Sequence, residues 1–219
     1  MLDLDDANRL VRQGAAALDR AGLVHAFGHC SVRLDEARFL VSAPHSLRVA
    51  AGLSGTVCPV DGPLPEGVLG EVRIHQQLYA ARPEIGAVCR VMPPVLMALS
   101  TQGIVPRPRH GIGAYFDAVP LWDDPRLLRN DAAAAELVGA MGRAPAIVMR
   151  GNGAVVAAPS MPMAVTLAWF LEDAARVERE VRAMGCAAAE GLLSPQEVAD
   201  RQVWSGGVAE RMWEYLGGT

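Results

Sequence analysis

Residues 70–94, GEVRIHQQLYAARPEIGAVCRVMPP, constrain the fold more than any other stretch of the chain. Two hydrophobic periods meet there across a proline. Val72, Ile74, His75, Leu78 and Tyr79 approximate one face of a helix, predicted over 71–81. Ala87, Val88, Cys89 and Val91 form an apolar run, predicted as a strand over 86–92, and Pro93-Pro94 ends it because proline cannot extend a ladder. Arg82-Pro83 turns the chain between them. A helix that hands directly to a buried strand calls for an α/β fold. Two charged residues stand out in this unit. Glu71 opens the helix, where the macrodipole favours a negative charge. Arg90 lies inside the apolar strand, where a cation is costly unless it is paired or functional.

The flanking sequence reads as further helices and strands. Residues 4–21 form an amphipathic helix whose stripe is Leu10, Val11, Ala15, Ala17 and Leu18, closed by Gly22. A turn at Phe27-Gly28 leads into a strand over 30–34, and 38–42 is a second strand. His29 is either a loop histidine bonded to backbone or a site residue; Gly28 argues against a helical metal pair with His25. Residues 57–65 read as a turn-rich connector without a domain boundary, and 94–102 as a helix. Arg107, Arg109 and His110 form either a solvated loop or a clamp for a substrate anion. Arg48 is similarly open between a carboxylate contact and a solvated surface residue. A helix over 130–141 has Asn130 or Asp131 as its N-cap. Strands over 146–149 and 153–157 flank the turn Arg150-Gly151-Asn152-Gly153. A long helix over 163–184 follows, and a Ser194–Glu197 capping box opens a last helix. Trp204, Trp213 and Tyr215 in the helical tail, 186–219, predict an apolar surface that docks on something, a neighbouring subunit among the options.

Composition narrows the chemistry. A chain of 219 residues that is 51% hydrophobic and 20% charged fits one soluble domain spanning 1–219. A net charge of −4 gives no electrostatic case for nucleic acid or an anionic membrane. All 20 basic residues are arginine, which excludes Schiff-base aldolase chemistry and a lysine-bound pyridoxal phosphate. The four cysteines have no CxxC spacing and read as free thiols of a reducing, cytoplasmic setting. The acidic start MLDLDDANRL lacks a signal-peptide apolar region, and no run is long enough for a bilayer.

The block Glu71…His75, Arg82-Pro83-Glu84 and Arg90-Val91-Met92-Pro93 resembles the heart of the class II aldolase/adducin family. That resemblance implies a three-layer α/β/α fold with a mostly antiparallel central sheet and a homotetramer with sites between subunits. It also implies a divalent metal held by three histidines, with the glutamate as acid/base. Here the three histidine positions are Arg90, Met92 and Asn152. Arginine has no lone pair to give, and methionine sulfur is a weak ligand for zinc or manganese, so the usual metal is expected to be absent. Gly28-His29-Cys30-Ser31-Val32-Arg33 resembles the family's Gly-Asn-x-Ser-x-Arg segment, in a form reminiscent of its decarboxylase-like branch. The loop with Pro44 and His45, and Leu69-Gly70, stand where the family's aldolases cradle a phosphate. The resemblance therefore implies a lyase acting without metal on a small, non-phosphorylated hydroxy- or aromatic carboxylate. Glu71, Arg90 and His29 are its expected catalytic set, with Arg90 replacing the metal charge. Gly28, Ser31, His75, Arg109, His110 and Asn152 are its expected substrate contacts. Two alternatives stand beside it. One is an adducin-like binding or structural protein in which Arg90 and Glu71 are only an ion pair. The other is a metal enzyme with ligands relocated to His29, His75, His110 and Glu71.

Overall fold

The computed structural model describes residues 2–217. The chain runs α1 (Leu4–Arg20), β1 (His29–Arg33), β2 (Arg38–Val41), α2 (Leu47–Ala50), β3 (Thr56–Pro59), α3 (Arg73–Ala81), β4 (Ala87–Val91), α4 (Pro94–Ser100), β5 (Leu121–Trp122), α5 (Asp131–Met141), β6 (Ala146–Met149), β7 (Ala154–Ala158), α6 (Met161–Ala183), α7 (Pro195–Arg201) and α8 (Val208–Tyr215). The strands form one sheet in the order β3-β2-β1-β4-β7-β6-β5. Every pairing is antiparallel except β5 with β6. The mostly antiparallel three-layer α/β/α expectation holds.

Strand alternation divides the interior in two. Cys30 and Val32 of β1 and Ala87, Cys89 and Val91 of β4 enter the core built with α1, α4 and α6. Val88 faces the other way, into the core that contains Ile74, Leu78 and Tyr79 of α3 and Leu137 of α5. His29, Ser31 and Arg90 share that second face. Three polar ties hold α3 there. Arg33 donates from Nε to the Ile85 carbonyl (2.8 Å) and from Nη2 to the Tyr79 carbonyl (2.8 Å). Gln76 donates to the carbonyls of Pro59 and Gly62, both at 2.9 Å. Arg82 donates to the Ala144 carbonyl at 2.9 Å. On the opposite face, Glu172 of α6 accepts from the N–H groups of Val95 and Leu96 and so caps α4, which begins at Pro94 just after the strand.

Several sequence expectations shift. The helix predicted from Glu71 is a 3₁₀ turn, Gly70–Val72, that passes into α3, so Glu71 sits before the α-helix proper. The connector predicted over 57–65 contains β3, an edge strand paired to β2, and Pro59 at its end is compatible with that edge. The loop after β2 contains the short α2. The last helix is two helices broken before Gly206 and Gly207, both at positive φ. The tail aromatics dock on this chain itself: the Trp204 ring lies 4.9 Å from Tyr115, and Tyr215 lies 6.4 Å from Trp169 on α6. Among the described residues, no helix is long and apolar enough to cross a membrane.

Candidate active site

A cleft of about 550 Å³ opens at the end of β4. Arg90 and Met92 come from that strand end, Asn152 from the turn between β6 and β7, Glu71 from the 3₁₀ turn, and Gly28 and His29 from the entry to β1. These elements converge because β1, β4 and β7 are neighbours in the sheet. Two glycines allow the close approach. Gly28 has φ +146°, and a Cβ there would lie 2.7 Å from Val24 and 3.1 Å from the Arg90 carbonyl. Gly153 has φ +79°, and its Cβ would fall 2.1 Å from the Val91 carbonyl.

Arg90 is 3% exposed. Its Nε donates to Glu71 Oε2 at 3.2 Å and its Nη1 to the Val91 carbonyl at 2.8 Å. Burial lowers the Arg90 pKa and the Glu71 carboxylate pushes back upward, but a guanidinium stays cationic under any such shift. Glu71 Oε1 is buried and has no hydrogen-bond partner among the described residues. Beside this pair, four side chains form a buried chain of hydrogen bonds. His29 Nδ1 is 2.7 Å from His75 Nε2, His75 Nδ1 is 2.6 Å from Ser31 Oγ, and Ser31 Oγ is 2.9 Å from the Tyr79 hydroxyl. Burial and then the Arg90 charge push the His75 pKa down to about 3. Burial, His75 and Arg90 push that of His29 well below its usual value. Both rings are neutral imidazoles at neutral pH. His29 Nε2, like Glu71 Oε1, is buried without a partner among the described residues. Both residues line the cleft, and both atoms offer hydrogen-bonding capacity to a ligand there.

The expected site residues thus separate into three groups. Glu71, Arg90, His29, Gly28 and Asn152 line the cleft. His75 and Ser31 reach it only through the His29 ring. Arg109 and His110 do not line it. The anion clamp expected of them is consumed by α6: Arg109 donates from Nε to Glu178 Oε2 (2.7 Å) and from Nη2 to the Ala188 carbonyl (2.7 Å), and His110 Nε2 pairs with Asp173 at 3.0 Å. Arg48 pairs with Asp19 at the surface. Among the cleft residues outside the expected set, Phe27, His45 and Arg129 bring an aromatic ring, an imidazole and a cation. The Arg129 stem lies against Gly70, where a Cβ would come within 3.1 Å, and its guanidinium has no partner among the described residues. No local motif marks it, because it reaches the cleft from the loop before α5.

The structure does bring Arg90, Met92 and Asn152 together. They do not fit a divalent cation. One is a fixed cation already bonded to the neighbouring carboxylate, one is a thioether, and only the Asn152 amide offers oxygen. The relocated set does not assemble either. His29 and His75 are bonded to each other, His110 is bonded to α6, and among the described residues no three His, Cys, Asp or Glu side chains are placed to hold a metal ion.

Comparison with known proteins places this architecture. Residues 9–178 match the model of the class II aldolase and adducin N-terminal domain. The chain is 31% identical over 200 residues to a 3,4-dihydroxyphthalate decarboxylase of Terrabacter sp. (strain DBF63), covering 83% of this chain and 84% of that protein. It is 31% identical over 178 residues to an enzyme of the same name from Arthrobacter keyseri, covering 72% and 71%. L-fuculose-1-phosphate aldolase from Thermus thermophilus superposes with a TM-score of 0.73 at 27% identity, over 84% of this chain and 98% of that one. The protein belongs to the class II aldolase/adducin family. Its decarboxylase relatives make it a carbon–carbon lyase, and the binding-only alternative gives way.

Proposed function

We propose that this protein decarboxylates a small, non-phosphorylated aromatic carboxylate bearing vicinal hydroxyls, of the 3,4-dihydroxyphthalate class, and that it does so without a divalent metal. The observation that carries the reading is the Arg90–Glu71 pair, buried in the cleft where the family resemblance implies a metal, with Glu71 Oε1 free. In this reading a substrate hydroxyl ortho or para to the carboxylated carbon gives its proton to Glu71. Negative charge spreads into the ring, and Glu71 returns the proton to the carboxylated carbon. The bond to the carboxylate then breaks, its electron pair restores the aromatic ring, and carbon dioxide leaves. Arg90 stabilises the charge on the substrate oxygens through Nη2, the nitrogen not used in its bonds to Glu71 and the Val91 carbonyl, and low dielectric strengthens that interaction. Arg129, at the rim, supplies a second cation for a dianionic substrate, and Asn152 an amide contact. Phe27 and Leu127, exposed at the cleft edge, support closure of the site by a neighbouring subunit of the homotetramer that the family resemblance implies, and the free cysteines fit a cytoplasmic setting.

The test is turnover of 3,4-dihydroxyphthalate by the purified protein, before and after chelation, with metal content measured by mass spectrometry. Turnover that survives chelation, at far less than one metal per chain, is the expected result. Activity lost on chelation and restored by zinc or manganese would overturn the metal-free reading. Inactivity on hydroxylated aromatic acids with cleavage of a sugar phosphate would overturn the substrate class.

A further inference from the structure

We infer that Ser31, backed by Tyr79, is a positioning residue that sets the direction of the buried hydrogen-bond chain, so that His29 presents an N–H donor rather than a lone pair to the cleft. Each hydroxyl in the chain carries one proton, and each neutral imidazole carries one N–H. Three contacts link the four groups, so the two rings can be protonated in only two self-consistent ways. In the outward one, Tyr79 donates to Ser31, Ser31 donates to His75 Nδ1, and His75 Nε2–H donates to His29 Nδ1. His29 then carries its proton on Nε2, facing the cleft. In the inward one the bonds between the rings and to Ser31 reverse, and one buried hydroxyl proton, that of Tyr79 or that of the fully buried Ser31, is left with nothing to receive it.

That dead end decides between them. Tyr79 is 1% exposed, and Ser31 is the only hydrogen-bond partner of its hydroxyl among the described residues. The thiols of Cys30 and Cys89 lie near it, but neither bonds to its hydroxyl. A buried O–H with no acceptor loses its hydration without compensation. A lone pair left over on the Tyr79 oxygen, as in the outward arrangement, costs far less. The cleft end shows no such preference, because a substrate can meet either form of His29 Nε2.

The consequence deepens the decarboxylase reading, on which its catalytic meaning rests. An Nε2–H donor suits an anionic substrate oxygen, as does the guanidinium of Arg90. His29 therefore orients and stabilises, and proton movement falls to Glu71 alone. The carboxylate and the imidazole in one cleft are thereby assigned different work.

The assay is a long-range proton–nitrogen correlation spectrum of the full chain labelled with nitrogen-15 histidine, at neutral pH, with His29 and His75 assigned from the loss of their signals in His29→Gln and His75→Gln. Both rings are expected as Nε2–H tautomers. An Nδ1–H tautomer at either ring overturns the inference. Tyr79→Phe is expected to leave both tautomers in place, because the Ser31 hydroxyl then forms the dead end. Ser31→Ala removes the polarity and is expected to split the His75 signals between tautomers, whereas Ser31→Thr restores a single form. With an active substrate, Ser31→Ala raises KM about tenfold, the equivalent of one hydrogen bond, with a smaller change in kcat. The spectra need no substrate. Nε2–H tautomers in a protein without decarboxylase activity sink the substrate reading and leave the donor assignment standing. Nδ1–H tautomers in an active decarboxylase do the reverse.

Discussion

Replacing Arg90 with methionine separates its structural work from its chemical work. The Arg90 side chain is 4% exposed and that of Glu71 17%, so the pair is close to fully buried. Removing one partner from a fully buried pair costs about 3–5 kcal/mol, because the other charge is left uncompensated. Glu71 keeps some contact with solvent in the cleft, which discounts the figure to roughly 2–4 kcal/mol. The bond from Arg90 Nη1 to the Val91 carbonyl adds about 1 kcal/mol. Arg90→Met is therefore expected to lose on the order of 3–5 kcal/mol in urea denaturation followed by tryptophan fluorescence, with an unchanged m-value. Adding Glu71→Gln removes the stranded charge, and the double variant should recover about half of that loss. Turnover behaves differently. Arg90→Met should lose about 10²–10³ in turnover, the cost of removing a cation that stabilises developing charge; the double variant also lacks the Glu71 acid/base and is read for stability alone. Full turnover in Arg90→Met would refute its chemical role. A double variant no more stable than Arg90→Met would refute the claim that stranded charge is what makes the single change costly.

Two further outcomes follow from the same geometry. His75 is held neutral down to about pH 3 in the folded protein, whereas its unfolded pKa is near 6.5. The unfolded chain therefore binds more protons between those values, and stability present above about pH 6.5 is lost as pH falls, by about 1.4 kcal/mol per unit for this group. His29 acts in the same direction. Urea midpoints at pH 7.5 and 5.5 should show the loss, and His75→Gln should roughly halve it; equal midpoints would rule the linkage out. Gly153→Ala places a Cβ 2.1 Å from the Val91 carbonyl at φ +79°, a backbone clash in a left-handed conformation. It should destabilise by more than about 3 kcal/mol and abolish the cleft floor; an unshifted melting temperature would show that the β4–β7 approach is looser than described.

The fold was legible wherever a local signal and its tertiary partner agreed. The α1 stripe with Gly22, the Asn130 cap of α5, the Ser194–Glu197 box of α7 and the proline-ended β4 all carry their own punctuation. β3 did not, because four residues ending at Pro59 look like a turn until β2 pairs with them. The same division runs through the site. Glu71 and Arg90 announce themselves as charges inside apolar elements. The chain from His29 to Tyr79 does not, because its members come from a strand and a helix more than forty positions apart. A signal was nevertheless present: β1 alternates His29, Ser31 and Arg33 against Cys30 and Val32, a polar face on a strand that proves buried on both sides. Arg109 misled for the opposite reason. Its partner Glu178 lies on α6, and only the packing of that helix shows the cation to be taken.

That one strand position determines what this cleft can recognise. Arg90 pairs in register with His29 across β1 and β4, so both side chains fall on the α3 face beside Glu71. A metal ion there would need three lone-pair donors aimed at one point. A guanidinium needs only a carboxylate to offset its burial, and Glu71 supplies it. The two cations also recognise different shapes. A metal chelates two oxygens at a point, whereas a guanidinium presents a planar row of N–H donors. Planar, delocalised anions such as carboxylates and phenolates match that row. The His29 N–H adds one further donor on the same side of the cleft. In the proposed reading a ring with adjacent carboxylate and hydroxyl groups meets both donors, so an arginine where the family resemblance implies a histidine fits a different substrate geometry rather than a lost activity.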